Sequence, residues 1–573
     1  MKKFLVLFLA VAFVVAAPAL AAVKGKANLQ TVKLNDIPEG DVLNPVNAKN
    51  PAVGTELGRT SNDWVSNGNV LNQISTSSDG GVHFSWLYRN EAGAGGSREY
   101  MYNWRDPAAG TFLGATAFAD RNASRWGSSE CTWDGLGMGA FYDNPNYTPM
   151  FCVDGGAGFG AFNLYGIDST YAVATYGGIP WPRLAVNRNP ANSDTIYCVA
   201  QGSIDDPVFT VTYDLGANWS QWAEIGLGVG GFVPDFPEQQ IAAGAAGKVA
   251  VVLNDSFGYT VYRESNDYGA TWGPVTVAID PYLGNPGGDT VVPYIHPSIF
   301  YDAANNLHIF NVAEIINGNT GPGGEWEGIV QWSSATGVTY VTKRWFTAGF
   351  QIGGTNTLND SWPNMCQHAN GKYLVTFTRF VDTDIAADGY ANGDIYYTTS
   401  SDLVNWTAPY NISQTQSPGA AAGACEDDRY PDCAIFGDTL HVSFLISKDA
   451  SAANASTPQG TMTYDYIWHI GIDYQTGVAG SPAVPNKHSF VLSQNRPNPV
   501  RDHTLMSFQM SKDGPYTMKI YNVVGQVVKE FKGIGTAGTN NLTWKTGSTP
   551  NGLYFYQLSA NGNTATKKLV VVK

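Results

Sequence analysis

Ser265-Asn266-Asp267-Tyr268-Gly269-Ala270-Thr271-Trp272 decides how the rest of the chain is read. It has the form S-x-D-x-G-x-T-W. The Asp side chain can bond the backbone N–H groups of its own turn. The Gly supplies a positive φ. The closing Trp offers a ring that pins the turn to the sheet. These residues spell a tight hairpin between two strands. A looser copy comes earlier, with Asp214, Gly216 and Trp219 in Thr212-Tyr213-Asp214-Leu215-Gly216-Ala217-Asn218-Trp219. A more degraded one comes later, with Asp402 and Trp406 in Ser400-Ser401-Asp402-Leu403-Val404-Asn405-Trp406.

Working outward, a longer repeat runs from about residue 60 to 475. Each unit opens on an aromatic or His followed by Pro: Trp181-Pro182, Phe236-Pro237, His296-Pro297, Trp362-Pro363 and Tyr430-Pro431. Each start leads through a turn into an apolar, β-branched strand, as in Gly247-Lys-Val-Ala-Val-Val-Leu253 and Gly371-Lys-Tyr-Leu-Val-Thr-Phe377. The spacing is roughly 55 to 70 residues, the size of a four-stranded propeller blade. Six or seven blades fit. The Asp-centred turns fall between the third and fourth strands, and no stretch here shows a helical period.

The three turns resemble the Asp box of sialidase-type β-propellers. That resemblance implies a sialidase-like propeller, in which the boxes hold the fold and do no chemistry. The opening, Val53-Gly54-Thr55 and then Asn67 to Ile74, resembles the entry segment of large propellers exported by type IX (Por) secretion.

Composition agrees with short strands and tight turns: 14% charged residues, 13% aromatics and 64 Gly in 573 residues. A formal charge of -15 excludes a nucleic-acid reader, which needs a basic face. Lys2, Lys3, the apolar run Phe4–Val15 and Ala19-Leu20-Ala21 read as a secretory signal peptide. No later apolar run is long enough to act as a transmembrane anchor. Six cysteines therefore enter an oxidising space. Cys425 with Cys433 and Cys131 with Cys152 are the candidate pairs. Cys198 and Cys366 lie in apolar strand patterns and read as reduced core residues.

The C-terminal part is a separate module. Leu492-Ser-Gln-Asn-Arg-Pro-Asn-Pro499, Tyr516 to Val528, Gly538-Thr-Asn-Asn-Leu-Thr-Trp544 and Asn551-Gly-Leu-Tyr-Phe-Tyr-Gln-Leu558 mark five to seven strands of a small sandwich. Their order resembles the type A C-terminal sorting domain of type IX secretion cargo. The resemblance implies the secretion machinery as a partner. It also implies an extracellular or outer-surface location in a Gram-negative-type bacterium.

The organisation expected is therefore all-β. Residues 1–22 are a signal peptide and 23–60 an extension leading into the propeller. A six- or seven-bladed sialidase-like β-propeller covers 61–474. A linker at 475–490 leads to an immunoglobulin-like β-sandwich at 491–573.

Chemistry is harder to place. His83, His308 and His441 occupy one equivalent position in three blades, which marks packing. Asp382, Asp384, Asp388, Asn392 and Asp394 crowd a Gly-bearing loop and form a candidate Ca²⁺ site, since hard cations take six to eight oxygens. The run Cys425-Glu426-Asp427-Asp428-Arg429-Tyr430 sits at a blade junction and offers acid, Arg and Tyr together. Arg98 and Arg183 are the other catalytic candidates. A sialidase clamps its substrate carboxylate with three arginines, yet the early F/Y-R-I-P motif of that family is missing here. Trp181-Pro182-Arg183-Leu184 is its nearest analogue, with Pro and Arg reversed. The Gly-rich loop Asn317–Trp326 could carry a binding site. The leading reading is a propeller that binds a glycan or a surface protein, without assigned catalysis. An exo-acting glycoside hydrolase of sialidase type and an adhesion or surface-layer component are the alternatives.

Overall fold

The computed structural model describes residues 54–572. It leaves out 62–71, 90–97, 120–123, 144–145, 188–194, 203–205, 228–238, 256, 295–296, 317–324, 346–350, 354–356, 452–462, 474–490, 493–494, 496–497, 511–513, 536–537 and 561. The signal peptide, the linker, Phe236-Pro237, His296 and most of the 317–326 loop thus lie outside the described residues.

Among the described residues, seven sheets follow one another between residues 55 and 473, antiparallel but for the short parallel pairing of Gln351–Ile352 with Tyr390–Ser400 in the sixth. Sheet 1 runs from Ile74 to Ala117, sheet 2 from Ser124 to Gly166 and sheet 3 from Arg183 to Glu224. Sheet 4 runs from Gln240 to Ile279, sheet 5 from Thr290 to Trp345 and sheet 6 from Gln351 to Asn411. Sheet 7 takes three strands from Asp427–Asp473 and its fourth from the start of the chain. Thr55–Thr60 pairs antiparallel with Asp465–Asp473, with Thr55 opposite His469 and Thr60 opposite Asp465. The stretch read as an extension is therefore a structural strand. It closes the ring by joining the two ends of the propeller in one sheet, which leaves fewer open sheet edges.

The aromatic-Pro signature has a definite form. Trp181, Trp362 and Tyr430 all hold left-handed backbone, at φ 55, 55 and 57. In sheets 6 and 7 the pairing register slips across this dipeptide, between Ser361 and Asn364 and between Arg429 and Asp432. Proline cannot donate to the ladder, so a bulge in the first strand is where it fits. The signature thus marks a kink within the innermost strand.

The Asp-centred turns join the third and fourth strands of sheets 3, 4 and 6. Asp267 accepts from Ser265 Oγ at 2.7 Å, Thr271 N at 2.8 Å and Thr271 Oγ1 at 2.6 Å. Asp214 repeats this with Thr212 and Asn218, and Asp402 with Ser400 and Asn405. The third turn is one residue shorter and carries Val404 where the others have Gly. Each Trp packs edge-on against a ring of the preceding sheet: Trp219 on Phe151 at 5.3 Å, Trp272 on Phe209 at 5.1 Å and Trp406 on Phe310 at 6.3 Å. The sheet to which each Trp pins its turn is therefore the preceding one, and the turns staple blade to blade.

Among the described residues a single α-helix, Ser169–Tyr176, interrupts the β pattern, between sheets 2 and 3, and ends on Gly177 in left-handed backbone. It buries only Ala172, so no apolar stripe announced it. None of the six cysteines forms a disulfide, and all are buried. The expected Cys425–Cys433 pair fails on distance: Cys433 stands six residues into the strand that starts at Asp427, roughly 20 Å of extended chain. Cys425 instead points at the carbonyls of Ala420 and Ala421. Cys131 and Cys152 are likewise unlinked. Cys366 meets Cys433 of the adjoining inner strand.

The C-terminal module is a β-sandwich. Val491–Leu492, His503–Met510 and Gly538–Lys545 form one sheet, and four strands from Gly514 to Val571 form the other. Met506, Phe508, Met518, Ile520, Trp544, Tyr556 and Leu569 fill the space between them.

Candidate functional site

The antiparallel order gives the propeller two unlike faces. Turns joining strands 1–2 and 3–4 of each sheet emerge on one face, which carries the Asp-centred turns. Turns joining strands 2–3, and the connections between sheets, emerge on the other. Arg98 opens a third strand, whereas Arg183 and the Asp427–Tyr430 run open first strands. All the catalytic candidates therefore lie toward the second face, though in sheets 1, 3 and 7.

They do not form an arginine clamp. Arg98 lies over Trp126, 5.3 Å from its ring centre. Arg429 is fully buried, and three of its nitrogens are used structurally. Nε donates to Asp427 Oδ2 at 2.5 Å, Nη1 to Gly353 O at 2.7 Å and Nη2 to Ala450 O at 3.0 Å. Tyr430 packs its ring 4.4 Å from that of Trp362. Arg183 is also buried, but among the described residues only its Nη1 finds an acceptor, the Pro182 carbonyl at 3.3 Å.

Carboxylates gather where sheets 6 and 7 meet. Asp384, Asp394, Asp427 and Asp428 are all buried. Thr415 Oγ1 donates to Asp428 Oδ2 at 2.5 Å or to Asp394 Oδ1 at 3.0 Å, and so links two of them. Asp384 Oδ1 accepts from Asn392 Nδ2 and Ser417 N, both at 3.0 Å. Burial dominates the proton affinities. It pushes Asp384 up to about 7 and Asp427 up to about 6, the latter despite Arg429. Asp428 rises well above the usual range, through burial and the nearby Asp394. Groups poised this close to neutrality can exchange a proton, which is the property acid–base chemistry needs.

The run read as a Ca²⁺ loop is split by the fold. Asp384, Asn392 and Asp394 point inward on two long strands, whereas Asp382 and Asp388 are exposed. No group of three His, Cys, Asp or Glu among the described residues is arranged to hold a metal ion. The three equivalent histidines are buried with different partners: His83 with Tyr102 at 2.7 Å, His308 with Asp302 at 3.1 Å and His441 with His469 at 3.0 Å.

Two features were missed. Glu327, raised to about 8 by burial, accepts from Asn359 N at 2.9 Å beside Asp360. Asp360 in turn takes Arg379 bidentately at 2.8 Å twice. The signal was present, because Asp360 and Asp428 both stand two residues before an aromatic-Pro pair. The second feature is an apolar platform. Phe257, Tyr282 and Leu283 are 64%, 70% and 70% exposed on the second face. Asp255 Oδ1 holds the first turn through Phe257 N at 2.9 Å and Tyr259 N at 2.8 Å. Asp280 Oδ1 holds the second through Tyr282 N at 2.9 Å. The turns abut: a Cβ on Gly258 would stand 3.6 Å from Pro281 Cγ. No periodicity marks such residues, since exposure alone distinguishes them.

A first prediction concerns Asp384. Its folded affinity for protons exceeds that of an ordinary carboxylate, so its stabilising contribution is full at low pH and is lost as pH climbs toward 7. Asp384→Asn should match wild type in denaturant at pH 4. At pH 8 it should exceed wild type by on the order of a few kcal/mol. An equal gap at both pH values would refute the assignment.

Residues 496–572 match the family of the secretion system C-terminal sorting domain. The chain carries the sorting domain of type IX secretion cargo. This cargo is an extracellular or cell-surface protein, and no helix among its described residues is long and apolar enough to cross a membrane. No curated protein matches it. Among solved structures, the E242A mutant of an α-L-arabinofuranosidase from Fusarium graminearum aligns at TM-score 0.37 and 10% identity, over 63% of the cargo chain and 96% of its own. An α-L-arabinanase from Penicillium chrysogenum aligns at 0.35 and 13%, over 62% and 94%. A polysaccharide lyase, the PL25 ulvan lyase, aligns at 0.37 and 10%, over 72% and 96%. At these scores the likeness says nothing of what the cargo does.

Proposed function

We propose that the propeller of this exported cargo binds a glycan on the face away from the Asp-centred turns. The Phe257–Tyr282–Leu283 platform carries the reading. Large apolar side chains cost a secreted protein solubility unless they meet a partner, and flat rings stack on the apolar faces of sugars. Here they are held rigid by two Asp-built turns, so little ordering entropy is lost on binding. Calorimetry of the signal-free protein against a panel of neutral and acidic oligosaccharides tests this. Saturable binding of at least one class supports it, and silence across the panel rejects it.

A glycoside hydrolase is the second reading, favoured by one observation. Asp384 and Asp427 sit near neutrality on the same face, and split protonation is how paired carboxylates divide acid and base roles. The fixed contacts of Arg429 speak against the sialidase variety. Product release from the same panel separates a hydrolase from a binder.

A further inference from the structure

Arg183 differs from Arg379 and Arg429, each of which is buried against a carboxylate. Arg379 has Asp360, and Arg429 has Asp427. Arg183 is completely buried, and its Nε and Nη2 meet no acceptor among the described residues. Among the described residues, the ionisable groups around it are Tyr100, Tyr142 and the Cys198 thiol, all uncharged at neutral pH, with no carboxylate among them. The Tyr100 hydroxyl is already engaged with Ser85 Oγ at 2.9 Å. Burial draws the guanidinium down to about 10, which still leaves it charged at physiological pH.

A buried cation without a counter-charge is costly, and a buried donor without an acceptor adds to the cost. Both defects fall on one side of one side chain. Nη1 is tied to the Pro182 carbonyl, and the two free donors share an edge of the guanidinium. A single acceptor carrying a negative charge would satisfy both. The site lies at the start of the first strand of sheet 3, behind Trp181, whose ring meets Tyr142 at 6.0 Å. No exposed edge of Arg183 remains for a large ligand.

We propose that Arg183 holds a small monovalent inorganic anion, of the halide class, inside the propeller. This site is independent of the glycan platform on sheets 4 and 5. Bromide is the probe. Crystals of the wild-type protein soaked in bromide should show an anomalous peak in hydrogen-bond reach of Nε and Nη2. In solution, Tm should climb with chloride when ionic strength is held constant with gluconate. Arg183→Met should lose that dependence. Should Arg183→Met fail to fold, Arg183→Lys keeps the charge but loses the fork and should show a weaker dependence. Absence of the peak, or a Tm indifferent to chloride in wild type, overturns the proposal and leaves the donors to water.

Discussion

Gly269→Ala should destabilise the propeller by on the order of 3 kcal/mol, although it adds one methyl group at the surface of a turn. Two costs combine. Gly269 sits at φ 85, where a Cβ clashes with its own backbone, and the new carbon would overlap the Phe209 ring of the preceding sheet. That ring is the one on which Trp272 rests at 5.1 Å, so it cannot retreat without loosening the staple. Gly284→Ala isolates the first cost. Gly284 has a similar φ of 76 but nothing within 4 Å of its Cβ position. That control should lose only about 1 kcal/mol. Equal losses in urea unfolding would show that the turn does not join the blades.

Arg429→Met should be the more damaging change, at about 3–5 kcal/mol at pH 8, because it strands Asp427 in the interior without its partner. It also strips the donors from the carbonyls of Gly353 and Ala450, so three segments around sheets 6 and 7 lose a common anchor. The loss should shrink in acid. Asp427 already titrates at about 6, and without the guanidinium beside it the group should hold its proton to higher pH still. As pH falls through that range the stranded carboxylate is neutralised, and stability returns. Arg429→Met with Asp427→Asn should recover part of the loss at pH 8, since Asn carries no charge to strand. A double variant no better than the single would mean that the carbonyl contacts dominate.

Much of the propeller was legible because its repeat is written in residues with narrow backbone demands. An aromatic-Pro pair suits a bulge or the start of a strand, and an Asp two residues before a Gly suits a tight turn. The second strands read from Gly247 and Gly371 lie at Val249–Asn254 and Tyr373–Ile385. The partner of a strand was not legible. Thr55–Thr60 carries no mark that it pairs with residues more than 400 positions later. The cysteines failed for the same reason, since nearness in sequence is a poor guide along an extended strand. For the site, sequence offered the right charged residues but not their depth. Asp382 and Asp384 look alike in the chain, yet one is exposed and the other buried. The platform was silent because Phe257, Tyr282 and Leu283 resemble core residues until the fold leaves them outside.

The two faces can be set against each other in one titration. Phe257→Ala, Tyr282→Ala and Leu283→Ala together remove the platform. Phe159→Ala with Tyr213→Ala removes exposed rings from the face of the Asp-centred turns. Against whichever oligosaccharide binds wild type, the first variant should lose at least tenfold in affinity, the worth of about one well-stacked ring. The second should bind as wild type does. Equal affinity in wild type and platform variant, or a loss confined to the second variant, would contradict the placement of function on the face away from the turns.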